Sequence, residues 1–296
     1  MKDRLFALDG LRGVAALVVF GYHIGRAVGL PIFPRGYLAV DFFFVLSGFV
    51  LARAYDDRLA TRRLRPLMFL VKRYQRLWPT AFAGTTLGVL VAVASSTWPQ
   101  PHGVAIAVLN AFMVPNLFVV PAAMYPFNPP HWSLWYELIV NYVYGLLLAP
   151  LAAQTMLILV VACAAVVVWQ AKAAGSVDAA GFARAGYSFF AGVVLWRVIG
   201  REQAPLSLRH SWLALTALVA AIAGASCLPT ANSFGLEIEL AAAFVLFPAV
   251  VVLGARIRLG GPVASVCSVA GATSYPIYAL HYPIVTLFAT HWLQSH

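Results

Sequence analysis

The stretch that decides the fold is "LDGLRGVAALVVFGYHI", residues 8–24. It is apolar, yet it carries Arg12 near one end and His23 near the other. On an α-helix each residue turns about 100°, so eleven steps return to nearly the same face, roughly 16 Å further along. Arg12 and His23 therefore share one stripe, about three turns apart. A face bathed in water tolerates two ionisable groups cheaply. A face in lipid does not, so in a membrane such groups turn inward and mark function.

Composition decides between the two. Of 296 residues, 62% are hydrophobic and only 10% are charged, where a soluble domain carries about a quarter charged. Nearly uncharged runs recur at Leu77–Thr97, Val104–Val120, Leu138–Val168, Trp212–Gly235 and Leu240–Ala255. Runs of about 20 apolar residues read as membrane-spanning helices. The expected fold is an all-α polytopic bundle of about ten helices, forming a single domain over residues 1–296. The longest polar stretches, Arg53–Pro66 and Arg197–His210, are too short to fold alone. The N-terminal run contains Asp9 and Arg12 and leads to His23 and Arg26 rather than to a small-residue cleavage site, so it reads as a retained first helix. Cys163, Cys227 and Cys267 stand alone in apolar segments without metal-ligand spacing, and read as packing residues.

The net charge of +10 is unevenly placed. Arg53, Arg58, Arg62, Arg63, Arg65, Lys72, Arg73 and Arg76 put eight basic residues in one connecting region, against Asp56 and Asp57. Short basic loops stay in the cytoplasm. With Lys2 and Arg4, this puts the N-terminus inside and runs the first helix from inside to outside, over about residues 6–28. The second helix returns over about 37–53, and the third leaves from about 73. A basic run beside a bilayer meets anionic headgroups or phosphates rather than nucleic acid. The basic loops at 197–209 and 256–258 also belong inside, but a simple count of ten crossings puts them outside. Either a segment around Pro115–Pro130 is re-entrant, or the charge rule fails locally.

Polar residues inside the apolar segments form stripes. Asp41, in "GYLAVDFFFVLSGFV", falls at the start of the second helix and is expected to approach His23. In "HWSLWYELIVNYVYG", Ser133 and Glu137 lie one turn apart on a face extended by Asn141 and Tyr144. In "SYPIYALHYPI", Ser274, Tyr278 and His281 share a face. Any one stripe serves equally well as interhelical hydrogen bonding. Three together point to a shared polar interior. In "VKRYQRLWP", Arg73 and Arg76 sit three apart on what reads as the first turn of the third helix, with Trp78 and Pro79 at the interface. Two forked guanidiniums on one face suit a phosphate or pyrophosphate, or serve simply as a positive-inside anchor.

In order along the chain stand R-x10-H in the first helix, "GYLAVDFFFVLSGF", "RYQR", "WSLWYE" and "SYPIYALHYP". The chain resembles the acyltransferase-3 family of integral membrane acyltransferases, from Leu8 to Pro283. It departs from that pattern in being short, in having one acid in "WSLWYE" where relatives often have paired acids, and in showing no fused domain after the last helix.

The resemblance implies an acyl-CoA donor, acetyl-CoA foremost, and a hydroxyl acceptor on a glycan, a lipid-linked sugar or another small molecule. It implies a bacterial inner membrane location and no metal. Within it, neutral imidazole suits the general base, which makes His23 the candidate. Asp41 or Glu137 would hold the imidazole's other N–H. Arg73 and Arg76 would grip the CoA phosphates, and Arg12 would steer the donor arm. Ser133, Ser274 and Tyr275 are candidates for the oxyanion donors, and His281 is a substrate-side residue and the alternative base. A proton-coupled transporter with a midplane polar cavity is the rival class. It should show inverted repeats, and none is found.

Overall fold

The computed structural model describes residues 4–98, 101–117, 123–200, 205–206, 208–230 and 234–295. Lys2, Arg201 and residues 118–122 of the suspected re-entrant segment lie outside them. Every regular element among the described residues is helical. Ten helices run in chain order: α1 (Phe6–Val28), α2 (Ala39–Ala60), α3 (Pro66–Ala94), α4 (Gly103–Ala111), α5 (Trp132–Val143), α6 (Ala153–Ala174), α7 (Gly181–Leu195), α8 (Leu208–Cys227), α9 (Gly235–Arg256) and α10 (Gly261–Ser295). Helices α5 and α7 each run on through a π turn, at Tyr144–Leu148 and Trp196–Gly200. Helix α9 contains one at Ala242–Leu246. Among the described residues, seven spans are long and apolar enough to cross a membrane.

Two boundaries differ from the sequence expectation. Pro66 occupies the first turn of α3, where its missing N–H costs nothing, so α3 begins there rather than near residue 73. Arg73 and Arg76 therefore lie two to three turns inside the helix, and Trp78 and Pro79 lie well within it. Helix α2 likewise continues to Ala60, leaving a tight connection of residues 61–65.

Helices α1 and α10 pack in parallel. A methyl at Gly10 would lie 2.7 Å from Cys267 Sγ, and one at Gly13 would lie 2.7 Å from the Ala270 methyl. Two glycines one turn apart thus let the backbones close up, as small residues do at membrane helix interfaces. Helices α2 and α7 do the same: the space of a side chain at Gly48 is taken by the Phe189 carbonyl, and that at Gly192 by the Val45 carbonyl.

The described parts of segment 103–131 run into the bundle and return to the side they left, the path expected of a re-entrant segment. Trp78 Nε1 donates to the Ala111 carbonyl (3.0 Å) and Tyr74 OH to that of Phe112 (3.3 Å), so α4 ends beside the first half of α3. The chain then climbs back, with Phe127 against Gly88 and Asn128 against Gly84. From there α5 descends until Gly145 meets Phe69.

This excursion changes the parity, and the basic loops now gather on one face. Arg197, at the end of α7, holds Asp56 at 2.6 Å and donates to the carbonyls of Ala149 and Leu151. Leu206 N–H donates to the Arg256 carbonyl, joining the α7–α8 and α9–α10 connections. On the opposite face Arg35 is fully buried and clasps Glu239 (3.0 Å) and the Pro229 carbonyl, while Ser176 and the Val177 N–H also donate to Glu239. The basic connections thus share one face of the bundle, and the excursion before α5 is what the simple count of ten crossings lacked.

Candidate active site

The parallel packing of α1 on α10 brings both ends of the opening stripe onto the last helix. Arg12 Nε donates to Ser274 Oγ (2.9 Å), and its Nη2 donates to the Gly271 carbonyl (2.6 Å) and pairs with Asp9 (3.1 Å). Further along, His23 stacks at a tilt on His281, ring centroids 4.9 Å apart, and edge-on to Tyr282.

Around Arg12 lies a cavity of about 510 Å³, walled by α1, α2, α3, α5 and α10. Arg4, Arg12, Arg73 and Arg76 line it, with Glu137 the one carboxylate in its wall. The single acid of "WSLWYE" has a definite task there. Glu137 accepts from Arg73 Nη2 (2.5 Å) and from Ser47 Oγ (3.0 Å). Arg73 Nε remains buried without a partner, and Arg76 makes no ion pair among the described residues. The cavity thus keeps cationic donors to spare, as a site for an anion requires. At its deep end, Ser133 Oγ and Tyr278 OH share a 2.6 Å hydrogen bond that ties α5 to α10. Tyr275 OH donates to the Leu77 carbonyl (2.5 Å).

A second cavity of about 540 Å³ opens between the far ends of α1 and α10, lined by His23, Arg26, Tyr282, Thr286 and Thr290. Tyr278 links the first cavity toward the second through a neighbouring ring. It lines the first, and its ring lies 5.7 Å from that of His281, which in turn touches His23.

The structure brings together Arg12, Arg73, Arg76, Glu137, Ser133, Ser274, Tyr275 and the Tyr278 wall. It takes Asp41 away. Asp41 is fully buried and bound by Arg184 of α7, with Arg184 Nε at 2.9 and 3.0 Å from its two oxygens and Ser188 donating at 3.2 Å. The expected approach of Asp41 to His23 is corrected on this ground: a buried carboxylate goes to the strongest partner in reach, and a guanidinium outcompetes an imidazole. Arg184 itself was legible, an arginine in the apolar stretch "FARAGYSFFAG" that had to find an acid. Ser47 was not, since a lone serine in "VLSGF" carries no such demand.

A family model described as the acyltransferase domain matches residues 5–295. The chain belongs to the acyltransferase-3 family. This acyltransferase is 34% identical to "Protein 2 in picA locus" of Rhizobium radiobacter over 58% of its own length and 96% of that protein. It is 33% identical to acyltransferase MdmB of Streptomyces mycarofaciens over 44% of its length and 36% of that protein. It is 28% identical to the peptidoglycan O-acetyltransferase OatA of Listeria monocytogenes over 29% of its length and 14% of that protein. No solved structure matches it. Of the two classes that the polar stripes left open, the family supports the first: the protein is an integral membrane acyltransferase.

Proposed function

We propose that this acyltransferase moves an acyl group, acetyl foremost, from acyl-CoA on the cytoplasmic side of a bacterial inner membrane to a hydroxyl acceptor met from the other side. The observation that carries the proposal is the row of rings, Tyr278 to His281 to His23, that links the wall of the first cavity to the wall of the second. The first begins at exposed Arg4 on the face that gathers the basic loops, and that face is cytoplasmic by the charge rule. Arg76, with Arg4 beside it, grips the CoA phosphates. Arg73, locked by Glu137, adds its charge to the same wall. The pantetheine arm then reaches past Arg12 toward Tyr278.

In the chemical step, a ring nitrogen of His23 takes the proton of the acceptor hydroxyl as the oxygen attacks the thioester carbonyl. The carbon–sulfur bond breaks and the thiolate leaves, taking up the proton that His23 received. The hydroxyls of Ser133, Tyr278 and Tyr275 already donate within the wall, so oxyanion donation by any of them requires one of these hydrogen bonds to open toward the carbonyl oxygen. The second cavity, with Thr286, Thr290 and Arg26 around His23, suits a polyhydroxylated acceptor of the glycan class. Asp41 has no part in the step.

The test is the purified protein in detergent, titrated with CoA in a calorimeter and assayed for slow thiol release from acetyl-CoA. Binding and release support the donor assignment. Absence of both overturns it.

A further inference from the structure

A general base needs something to hold its other nitrogen, and neither carboxylate on hand is available to His23: Asp41 is bound by Arg184, and Glu137 by Arg73 and Ser47. No hydrogen bond reaches the His23 ring among the described residues; its neighbours are rings. One of those rings has an acceptor to offer. His281 is buried at 2% exposure, and its Nδ1 lies 2.7 Å from the Tyr278 carbonyl. A carbonyl only accepts, so Nδ1 carries the proton and Nε2 carries the lone pair. That Nε2 is buried and has no partner. Leaving such an acceptor unmet is costly, and the nearest imidazole is His23, centroid to centroid 4.9 Å. That separation is within the reach of an N–H···N hydrogen bond between two imidazoles.

We propose that His281 is the positioning residue for His23: its Nε2 accepts one ring N–H of His23 and fixes the tautomer, so that the other His23 nitrogen faces the second cavity as a bare base. The chain of contacts runs from the Tyr278 carbonyl through His281 and His23 to the acceptor hydroxyl. It does for His23 what a carboxylate does in other acid–base pairs. His281 gains no proton in the step. The hydroxyl proton goes to the bare nitrogen of His23, and the resulting imidazolium keeps its second N–H on His281 until the thiolate takes the proton up. This inference rests on His23 being the base.

The test compares His281→Leu, which keeps the bulk and removes the acceptor, with His281→Gln, which keeps an acceptor oxygen. In thiol release from acetyl-CoA, His281→Leu should lose roughly 10- to 100-fold in kcat, with KM for acetyl-CoA unchanged, and His281→Gln should recover much of the loss. Histidine-selective 15N spectra of the full protein in detergent read the pair without any turnover. His23 should be a single neutral tautomer in wild type and in His281→Gln, and a mixture in His281→Leu. Wild-type kcat in His281→Leu, equal loss in both variants, or the same His23 tautomer distribution in all three proteins overturns the proposal. A wild-type protein that releases no thiol counts against the acyl-CoA assignment instead, and the 15N comparison still judges the pair.

Discussion

Arg73 of α3 donates to Glu137 of α5 at 2.5 Å, with both side chains largely out of water and Ser47 of α2 completing the carboxylate's partners. One carboxylate thus joins three helices around the first cavity and sets the direction of a guanidinium in its wall. Removing either partner strands a buried charge, which costs roughly 3–5 kcal/mol. Glu137→Ala and Arg73→Ala should each lower stability by an amount of that order, and the double variant should be less destabilised than the two single effects added. A double-mutant cycle of unfolding in detergent reads this; simple additivity would show the pair to be uncoupled.

Arg76 behaves differently because it makes no ion pair among the described residues. Arg76→Ala should melt like wild type while losing about tenfold or more in CoA affinity, and Arg76→Lys should recover only part, since lysine keeps the charge without the fork. Calorimetry with CoA checks it. Unchanged affinity in Arg76→Ala would reduce the residue to a topology anchor.

For Asp41 and Arg184 the expectation is structural. Asp41→Ala alone leaves Arg184 buried and unpaired, and should cost roughly 3–5 kcal/mol and much of the expression. Replacing both together, Asp41→Leu with Arg184→Met, exchanges the pair for apolar bulk and should restore folding and acyl transfer. A well-folded double variant without activity would return Asp41 to the chemistry.

The re-entrant segment has a direct readout. With Cys163, Cys227 and Cys267 replaced, a single cysteine at Pro31, exposed in the α1–α2 connection, should react with a membrane-impermeant maleimide on intact cells, and one at Arg63 should not. A cysteine at Arg256 should match Arg63 once membranes are opened. Labelling of Arg256 on intact cells would break the shared basic face.

Much of this bundle can be read from spacing alone. The runs between breaks near residues 152, 178 and 260 correspond to real helices, because hydropathy over 20 residues is a strong signal in a membrane. The stripe on α1 is also legible, since Arg12 and His23 both meet α10. The start of α3 is harder to read, because a charged first stretch resembles a loop until Pro66 is recognised as a helix opener. Partner choice is harder still. Asp41 and His23 occupy adjacent helix ends in sequence terms, yet Arg184 lies 143 residues further along the chain and takes the carboxylate through α2–α7 packing. Nor does spacing announce the bare Nε2 of His281, which follows from a side chain folding back onto its own helix at Tyr278.

The central claim is that donor and acceptor reach the His23 wall from opposite faces. It is tested most directly with acetyl-CoA radiolabelled in the acetyl group, supplied to sealed membrane vesicles of both orientations from cells expressing the protein. Inverted vesicles, with the basic face outward, should transfer label to a non-CoA product. Right-side-out vesicles should not, and inverted vesicles carrying His23→Ala should not. Label transferred by right-side-out vesicles alone, or equally by His23→Ala, would contradict the account.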